Sequence, residues 1–307
     1  YNDKQHAVQT FLDLVRAIDI TYDTHKLPKL NFSHNDKNIV NKFLKNNGIK
    51  NNDFLICVAP GAAESAKARM WPYERYAELC DEIIEKYNAK VIFVGALNEA
   101  ELIENIQKNI ENKNKTINAA GKITLNQLFY LIFKCNLFIG NDAGPMHIAA
   151  AQCIKTLGLF GPNLPVRFGP YGKGNIGLYK GYNCEFSPCI NVHKGQVPDC
   201  LYPKESNDYQ KCMKNISVND VLNEVEKLIW NILWNIIDEE GDFLEISVGK
   251  PSKCIATELG QGVFIRKDEK SDEVKSIGIL GFKKRTKDLK DVKLDIPVEI
   301  NFSPISS

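Results

Sequence analysis

The amino-acid sequence predicts an α/β fold: a Rossmann-like parallel sheet over residues 51–237, followed by a small β-rich domain over residues 238–307. Two observations support this prediction. Short apolar runs alternate with helical segments, which is typical of a parallel sheet covered on both faces. A glycine follows each of these runs closely. Ligands of such sheets bind at the carboxyl ends of the strands, so these glycines mark the edge where a site is expected.

Four apolar runs are predicted to be strands of the sheet. They are 54–58, 90–94, 137–139 and 155–160, and they lead to Gly61, Gly95, Gly140 and Gly161. Helices are expected between them, one beginning at Trp71 and Pro72 and one over 99–110, and proline is favoured in a first helical turn. A helix over 217–229, with Ser217 as its N-cap, is expected to end the domain.

The turn after the third run is the most informative segment. The apolar run breaks at Gly140, a polar turn follows, and Pro145 opens an Ala-rich helix. Such a helix start offers backbone N–H groups and the positive end of the helix dipole, which suits a diphosphate. Asp142 and His147 flank the turn, and Gly144 lets a ligand approach the backbone. Taken alone, this pattern also fits an ordinary turn that binds nothing.

Six short segments occur in the order typical of one family. They are Pro-Gly-Ala at 60–62, Arg-Met-Trp-Pro at 69–72, Gly-Lys-Ile-Thr-Leu at 121–125, Gly-Asn-Asp-Ala-Gly-Pro-Met-His at 140–147, Leu-Phe-Gly-Pro at 159–162 and Gly-Pro-Tyr-Gly at 169–172. Over residues 50–229 the chain resembles the nucleotide-binding domain of the heptosyltransferases. These are ADP-heptose:lipopolysaccharide glycosyltransferases built from two Rossmann domains, the GT-B architecture. The ordered set is specific, whereas each segment by itself is not.

The resemblance implies a division of the chain. Residues 1–28 would hold the last helix of an N-terminal domain that is absent here, and apolar residues at helical spacing over 6–20 agree with such a helix. Residues 29–50 would be a linker, and 51–237 the nucleotide-sugar-binding domain. The absent domain would carry the acceptor site and the carboxylate that acts as general base. No catalytic residue is therefore expected in this chain, which would be a donor-binding half that is inactive alone.

The donor site should offer cations and hydrogen-bond donors, because breaking a sugar–diphosphate bond leaves negative charge on the nucleotide. Through the resemblance, Arg69 is the expected phosphate contact, with Lys67 as its alternative. Glu99 would accept hydrogen bonds from ribose hydroxyls, or act only as a dipole partner in a first helical turn. Ile123 and Leu125 would contact adenine. The expected substrate-binding residues are Gly61, Ala62, Ser65, Arg69, Glu99, Ile123, Leu125, Asp142, Ala143, Gly144 and His147.

Three places depart from the family pattern. Ala143 stands where Ser or Thr usually follows the motif aspartate, and Asn163 stands where Ser or Thr usually follows the 159–162 segment. The loop after Gly61 holds Ala62 and Ala63, with Ser65 beyond them, in place of a threonine pair. These lost hydroxyl groups are consistent with a different donor, with weaker binding or with lost activity.

Cysteines fall into two groups. Cys57, Cys80, Cys135 and Cys153 lie in apolar segments and are expected to be buried. Cys184, Cys189, Cys200 and Cys212 share one loop region with His193, and four soft ligands could close a tetrahedral structural zinc site. Their spacing lacks Cys-x-x-Cys pairs, so reduced thiols remain an alternative, as do disulfides, which the cytoplasm disfavours. No cofactor is expected to be required for sugar transfer.

Residues 238–307 are predicted to form a separate unit. Strand patterns cover 242–248, 262–266 and 277–280, and a charged turn over 268–272 would join the last two as a hairpin. The segment resembles a family of short β-rich prokaryotic proteins of unknown function, which implies no mechanism.

Composition sets the remaining bounds. A formal net charge of +1 gives no general attraction to nucleic acid, and no apolar run has membrane-spanning length. The expected partners are an ADP-sugar and, through the absent domain, a lipopolysaccharide-type or other glycan acceptor. A cytoplasmic location is expected, with peripheral attachment at the inner face of the membrane as a further option.

Two other functions stay open. A non-catalytic nucleotide-sugar-binding or interaction module would fit the absent domain, Ala143 and the appended β-rich unit. Another enzyme on paired Rossmann domains, such as a nucleotide-sugar epimerase, would need acid and base residues within this half. No carboxylate–histidine arrangement in the sequence indicates them.

Overall fold

The computed structural model describes residues 4–20, 24–190, 195–196, 198–233, 237–238, 243–247, 254–260, 262–269, 271–272 and 274–281. The chain divides into two compact units, Tyr1–Ile232 and Leu233–Ser307. None of the helices in these ranges combines the length and apolar composition that crossing a membrane requires.

A six-stranded parallel sheet forms the centre of the first unit. Its strands are β1 (Leu55–Ala59), β2 (Lys90–Phe93), β3 (Thr116–Asn118), β4 (Leu137–Asn141), β5 (Lys155–Phe160) and β6 (Ile176–Tyr179). Their order is β3-β2-β1-β4-β5-β6, and every neighbouring pair is parallel. This is the order of the doubly wound nucleotide-binding folds, so the predicted Rossmann-like sheet is confirmed. Strands β3 and β6 were not predicted.

Helices cover the sheet and continue the chain beyond it. They are α1 (Ala7–Arg16), α2 (His34–Asn46), α3 (Tyr73–Tyr87), α4 (Ala100–Lys108), α5 (Leu125–Phe133), α6 (Gly144–Ala151), α7 (Pro165–Phe168), α8 (Lys211–Lys214) and α9 (Val218–Leu233). Capping residues in the sequence explain where several of these helices begin. Thr124 forms a capping box with Gln127 at α5, and Ser217 Oγ accepts a hydrogen bond from Asp220 N at 3.1 Å. The predicted Ser217 cap is thus confirmed.

The core lies between the sheet and its helices. Every residue of β1 and β4 is buried, as expected for central strands with both faces covered. Trp71 is also fully buried, and its Nε1 donates a hydrogen bond to Ile216 O at 2.9 Å. Burial of each large apolar side chain contributes about 1.5–3 kcal/mol. The Trp71 contact therefore fixes the start of α3 against the segment that leads into α9.

The predicted linker over 29–50 is wrong for much of its length, because residues 34–46 form helix α2. Val40 and Leu44, four residues apart on one helix face, are buried in the core cluster that also contains Tyr130 and Leu131 of α5. Ser33 caps the helix through a capping box with Asp36. This segment is therefore part of the first unit.

Helix α1 is shorter than the predicted helical segment over 6–20. It ends at Arg16 and has no buried residue, while Phe11 and Leu14 are 69% and 66% exposed. His6, directly before the helix, contacts the residue that follows α7 instead, where its Nε2 donates a hydrogen bond to Gly169 O at 3.0 Å. The assignment of 1–28 to an absent domain stays a prediction.

The second unit contains an antiparallel sheet of β7 (Ile237–Asp238), β8 (Phe243–Ser247), β9 (Cys254–Gly260), β10 (Val263–Asp268) and β11 (Val274–Leu280). The strand order is β7-β8-β11-β10-β9. The predicted β10–β11 hairpin is confirmed, whereas β9 had not been recognised in the sequence. Ser276 Oγ donates a hydrogen bond to the buried Glu245 carboxylate at 2.6 Å, and Arg266 Nη1 lies 3.1 Å from the same oxygen.

Candidate functional site

The candidate site lies where the strand order reverses, at the carboxyl ends of β1 and β4. These two strands are neighbours, with Ala59 opposite Gly140. A Cβ on Gly140 would lie 2.9 Å from Ala59 O, so only glycine allows the strands to approach here. In doubly wound sheets the connections diverge at this point and leave a crevice for a ligand.

Asn141 organises the loops around this crevice. It is fully buried, and its Oδ1 accepts hydrogen bonds from Trp71 N at 3.1 Å and from Tyr76 OH at 3.0 Å. Its Nδ2 donates to Pro60 O at 2.7 Å. One amide thereby holds the loop after β1 and the start of α3 against β4. Sequence reasoning assigned no role to Asn141, although a polar residue that ends a buried strand was a usable signal.

Asp142 and Arg69 interact with each other. Arg69 Nη1 lies 3.5 Å from Asp142 Oδ2 and donates a hydrogen bond to Asp142 O at 3.1 Å. Asn163 Nδ2 donates to the same carboxylate at 2.8 Å. Asn163, which departs from the family pattern, therefore restrains Asp142. Among the described residues the buried Arg69 Nε has no hydrogen-bond partner.

The N-terminus of α6 is open to a ligand. Ala143 is its N-cap residue, and no side chain caps the helix. Gly144 is exposed, and a Cβ added there would meet no atom within 4 Å. Within the described ranges, the backbone N–H groups of Ala143 and Gly144 have no partner. These donors, at the positive end of the helix dipole, can receive an anion.

His147 lies one turn into α6 and is half-buried. Burial lowers its pKa below 6.5, and the charges of His6 and Arg69 lower the pKa further, while Asp142 opposes this shift. The imidazole is therefore neutral at pH 7, and either ring nitrogen that carries the proton can act as a hydrogen-bond donor.

Glu99 lies against the ends of β1 and β2. A Cβ on Gly95 would come within 2.7 Å of Glu99 Oε2, and a Cβ on Gly61 would overlap Oε1. Glu99 Oε2 accepts a hydrogen bond from Ala96 N at 2.6 Å. Both glycines thus make room for this half-buried carboxylate.

The structure brings most of the expected site residues to this edge of the sheet, and the adenine candidates lie beside it. Gly121 N donates to Gly95 O at 3.2 Å, which places the loop before α5 next to the end of β2. Ile123 packs on the core and Leu125 is 61% exposed. Ala62 is half-buried, and Ser65 is exposed on the short 3-10 turn of Glu64–Arg69. The ligand contacts assigned to these residues stay predictions.

The four-cysteine loop packs near the end of β5. Cys189 N donates to Pro162 O at 3.1 Å, and Cys184 and Cys212 are buried. Burial, with the neighbouring thiols as a further cause, raises the pKa of Cys189 to about 11 and that of Cys212 to about 12. Among the described residues, no group of three or more Cys, His, Asp or Glu side chains is arranged to hold a metal ion.

His193 lies outside the described residues. The zinc site therefore stays a prediction that the described side-chain arrangement does not support, and metal analysis of the purified chain would test it.

Comparisons with known proteins agree with the fold and the motifs. The sequence model of glycosyltransferase family 9 (heptosyltransferase) matches residues 1–194, which include all six strands of the parallel sheet. Lipopolysaccharide heptosyltransferase 2 of Escherichia coli K12 is 30% identical over 179 residues, which are 57% of this chain and 47% of that protein. Lipooligosaccharide heptosyltransferase 2 of Campylobacter jejuni (serotype O:2) is 26% identical over 233 residues, 74% of this chain and 65% of that protein.

A solved structure extends the comparison to three dimensions. The crystal structure of a glycosyl transferase family 9 protein from Veillonella parvula superposes with a TM-score of 0.61 at 26% identity, covering 74% of this chain and 61% of that one. The structure of Escherichia coli ADP-heptose lipopolysaccharide heptosyltransferase II gives a TM-score of 0.54 at 24% identity, over 70% of this chain and 57% of that one, and shares the fold. The chain spans about half the length of several curated relatives that it matches.

Proposed function

Because the chain belongs to glycosyltransferase family 9, the heptosyltransferases, we propose that it is the donor-binding part of a glycosyltransferase. The reaction would transfer heptose, or a similar sugar, from an ADP-sugar to a lipopolysaccharide-core acceptor. The name of the Escherichia coli structure includes ADP-heptose, and the names of the relatives specify lipopolysaccharide or lipooligosaccharide. Those substrates are the ones proposed here.

The open N-terminus of α6 is the observation that carries the proposal. Its backbone donors lie at the switch between β1 and β4, and Gly144 leaves open space beside them. A diphosphate bound there would interact with the helix dipole and with oriented N–H groups. Arg69, held beside Asp142, would add a cation at the same edge.

This arrangement suits the charge that develops during transfer. Cleavage of the sugar–phosphate bond leaves an additional negative charge on the departing nucleotide, and fixed donors stabilise that charge without reorganisation. The neutral imidazole of His147 would donate one more hydrogen bond to a phosphate oxygen. The acceptor hydroxyl still needs a base, which we assign to a part of the enzyme outside this chain.

Glu99 is the proposed contact for the nucleoside. It lies between the ends of β1 and β2, next to the loop that carries Ile123 and Leu125. One carboxylate oxygen accepts a hydrogen bond from Ala96 N, and its remaining acceptor capacity suits a ribose hydroxyl pair. Adenine would then pack on the exposed apolar side chain of Leu125.

A cytoplasmic location is part of the proposal. The four cysteines that share one loop are free thiols, and a reducing compartment preserves that state.

Calorimetric titration of the chain with ADP and with ADP-heptose tests the proposal. We expect saturable binding that Gly144→Val weakens at least tenfold, because the added methyl groups enter the space next to the α6 donors. Lys42→Ala, an exposed change on α2, is the matched control and should bind like the parent chain.

Circular dichroism must first establish that both variants are folded. Absence of ADP binding by the folded parent chain would contradict the proposed donor site. Equal affinity of the parent chain and Gly144→Val would contradict the placement of the diphosphate at α6.

A further inference from the structure

A cavity lies at the amino ends of the strands, on the opposite side of the parallel sheet from the candidate donor site. Its volume is about 470 Å³, and its walls come from three segments: the stretch after α1, the end of α6 with the start of β5, and the loop before β6. Lys26, Lys155 and Lys173 each belong to a different one of these segments. The volume is in the range of pockets that hold small organic ligands.

The ionisable side chains that distinguish this pocket are basic. Among the described residues, none that lines the cavity is acidic, and His25 lies beside the three lysines. Across the described part of the chain, no carboxylate is within ion-pair distance of these three ammonium groups. Like charges gathered without counter-charges repel each other, so an anion bound among them would relieve the repulsion.

The uncharged polar groups of the pocket already have partners within the protein. Asn175 Oδ1 accepts a hydrogen bond from Thr156 N at 3.1 Å, and Asn175 Nδ2 donates to Tyr171 O at 3.1 Å. Tyr171 OH donates to Thr24 O and accepts from Gln9 Nε2 at 2.7 Å. These bonds join the three walls into one shape and leave the lysines as the groups available to a ligand.

Gly174 leaves room for the side chain of Lys155. Its φ of +79° lies in the region that side chains rarely adopt, and a Cβ there would come within 2.6 Å of Lys155 Nζ. The glycine thus provides the space in which the ammonium group lies at the pocket wall.

The pocket is separate from the candidate donor site. Lys155 begins β5 and Asn175 directly precedes β6, so the cavity is at the amino ends of these strands. The carboxyl ends of the strands, which hold the candidate donor site and form the donor edge of the sheet, are five residues further along β5. At about 3.3 Å per residue this distance is roughly 16 Å. Helix α6 has Gly144 at one end, while Ala150 near its other end and Cys153 just beyond it line the pocket.

We propose that this lysine pocket, formed by Lys26, Lys155 and Lys173, binds a phosphate group carried by a small molecule or by a lipid headgroup. Lysine ammonium groups are strong donors to phosphate oxygens, and three of them more than neutralise a doubly charged phosphate. The shared chemistry is a phosphate monoester or diester, and the experiment distinguishes its two sources.

Cys153 provides the readout. It was expected to be buried, but it is exposed at the pocket wall because the chain turns there with φ +59° after α6 ends. Alkylation of Cys153 by iodoacetamide, quantified by peptide mass spectrometry on the full chain, should slow several-fold when the pocket is occupied. The probes are glycerol 3-phosphate, inorganic phosphate, and vesicles of phosphatidylcholine with or without phosphatidylglycerol.

The matched variants carry equal charge changes. Replacing Lys26, Lys155 and Lys173 by Gln should abolish protection of Cys153, because each lysine near an anionic surface contributes roughly fivefold in affinity. Replacing Lys42, Lys45 and Lys108, three exposed lysines on α2 and α4, by Gln should leave the protection unchanged. The titration with ADP should be the same for both triple variants, because the donor edge is elsewhere.

The probes distinguish a soluble phosphorylated ligand from a lipid headgroup. Protection by glycerol 3-phosphate or inorganic phosphate in solution would support a soluble phosphorylated ligand. Protection only by vesicles that contain phosphatidylglycerol would support a lipid headgroup. No protection by any probe, or equal protection in the two triple variants, would overturn the proposal.

Discussion

The two edges of the parallel sheet hold their charged groups in opposite ways. At the carboxyl edge, Arg69 and Asp142 contact each other and Glu99 accepts a hydrogen bond from Ala96 N. At the amino edge, Lys26, Lys155 and Lys173 line a cavity whose described lining residues include no acidic side chain. Strand ends thus present a preorganised site on one side and an uncompensated positive charge on the other. A preorganised site favours a ligand of one geometry, whereas unpaired positive charge favours any ligand that carries negative charge.

The largest expected effect concerns Asn141, which holds the donor edge together. We expect Asn141→Ala to lower the free energy of unfolding of the first unit by about 3 kcal/mol, since it leaves the buried Trp71 N–H, Tyr76 OH and Pro60 carbonyl without partners. Urea denaturation measures this change. Tyr76→Phe is the control, because it removes only one of these bonds and should cost about 1 kcal/mol. A loss for Asn141→Ala no larger than that of the control would refute the organising role.

The Arg69–Asp142 pair is the next test. Arg69→Gln should cost about 2 kcal/mol, because it leaves a carboxylate that is 3% exposed without its cation. Adding Asp142→Asn should recover part of this loss, and a double-mutant cycle in urea gives the coupling energy. If the two single changes simply add, the pair is not coupled, and Arg69 would then be available to a ligand without competition from Asp142.

Gly174 tests the amino edge. Gly174→Ala should cost at least about 1 kcal/mol through the strain of its left-handed backbone, and more where the new Cβ displaces Lys155. Gly48→Ala is the matched control, because Gly48 has a similar φ of +72° and a Cβ there would meet no atom within 4 Å. Phosphate protection of Cys153 should fall for Gly174→Ala and stay unchanged for Gly48→Ala. Equal behaviour of the two variants would show that Gly174 has no role beyond its backbone conformation.

Strands and helices differ in how clearly their sequence patterns predict them. Strand Leu55–Ala59 is a continuous apolar run, and Lys155–Phe160 ends in apolar residues, so the strand type of both and the glycines that follow them were clear. Strand Thr116–Asn118 is too short to show a pattern, and all four residues of Ile176–Tyr179 are only half-buried. Helix α2 was assigned to a linker because polar residues surround the two core positions, Val40 and Leu44.

The donor edge could be predicted from local motifs, because its strand, its turn and its helix start are consecutive in the chain. The roles of Asn141 and Asn163 depend on contacts with residues far away in sequence, such as Tyr76 and Asp142, and no local pattern contains that information. The lysine pocket was missed for the same reason. Lys26 is more than 100 residues away in sequence from both Lys155 and Lys173, and the three lysines become neighbours only in the folded chain.

The smallest expected effect is the pH dependence that His147 gives to the donor edge. Its pKa is lowered in the folded state, mainly by burial, so the unfolded chain binds a proton more readily. The stability contributed by the neutral imidazole is therefore complete above pH 6.5 and is lost as the pH falls through 6.5 towards the lowered pKa. We therefore expect the protonation of this group to lower the stability of the fold between pH 7.5 and pH 5. His6, whose pKa is also lowered by burial, changes stability in the same direction. Urea denaturation across this range should show a shallower decline for His147→Gln than for the parent chain. Identical slopes for the parent chain and His147→Gln would mean that protonation of this imidazole costs the fold nothing, and that the donor edge holds it less tightly than its burial indicates.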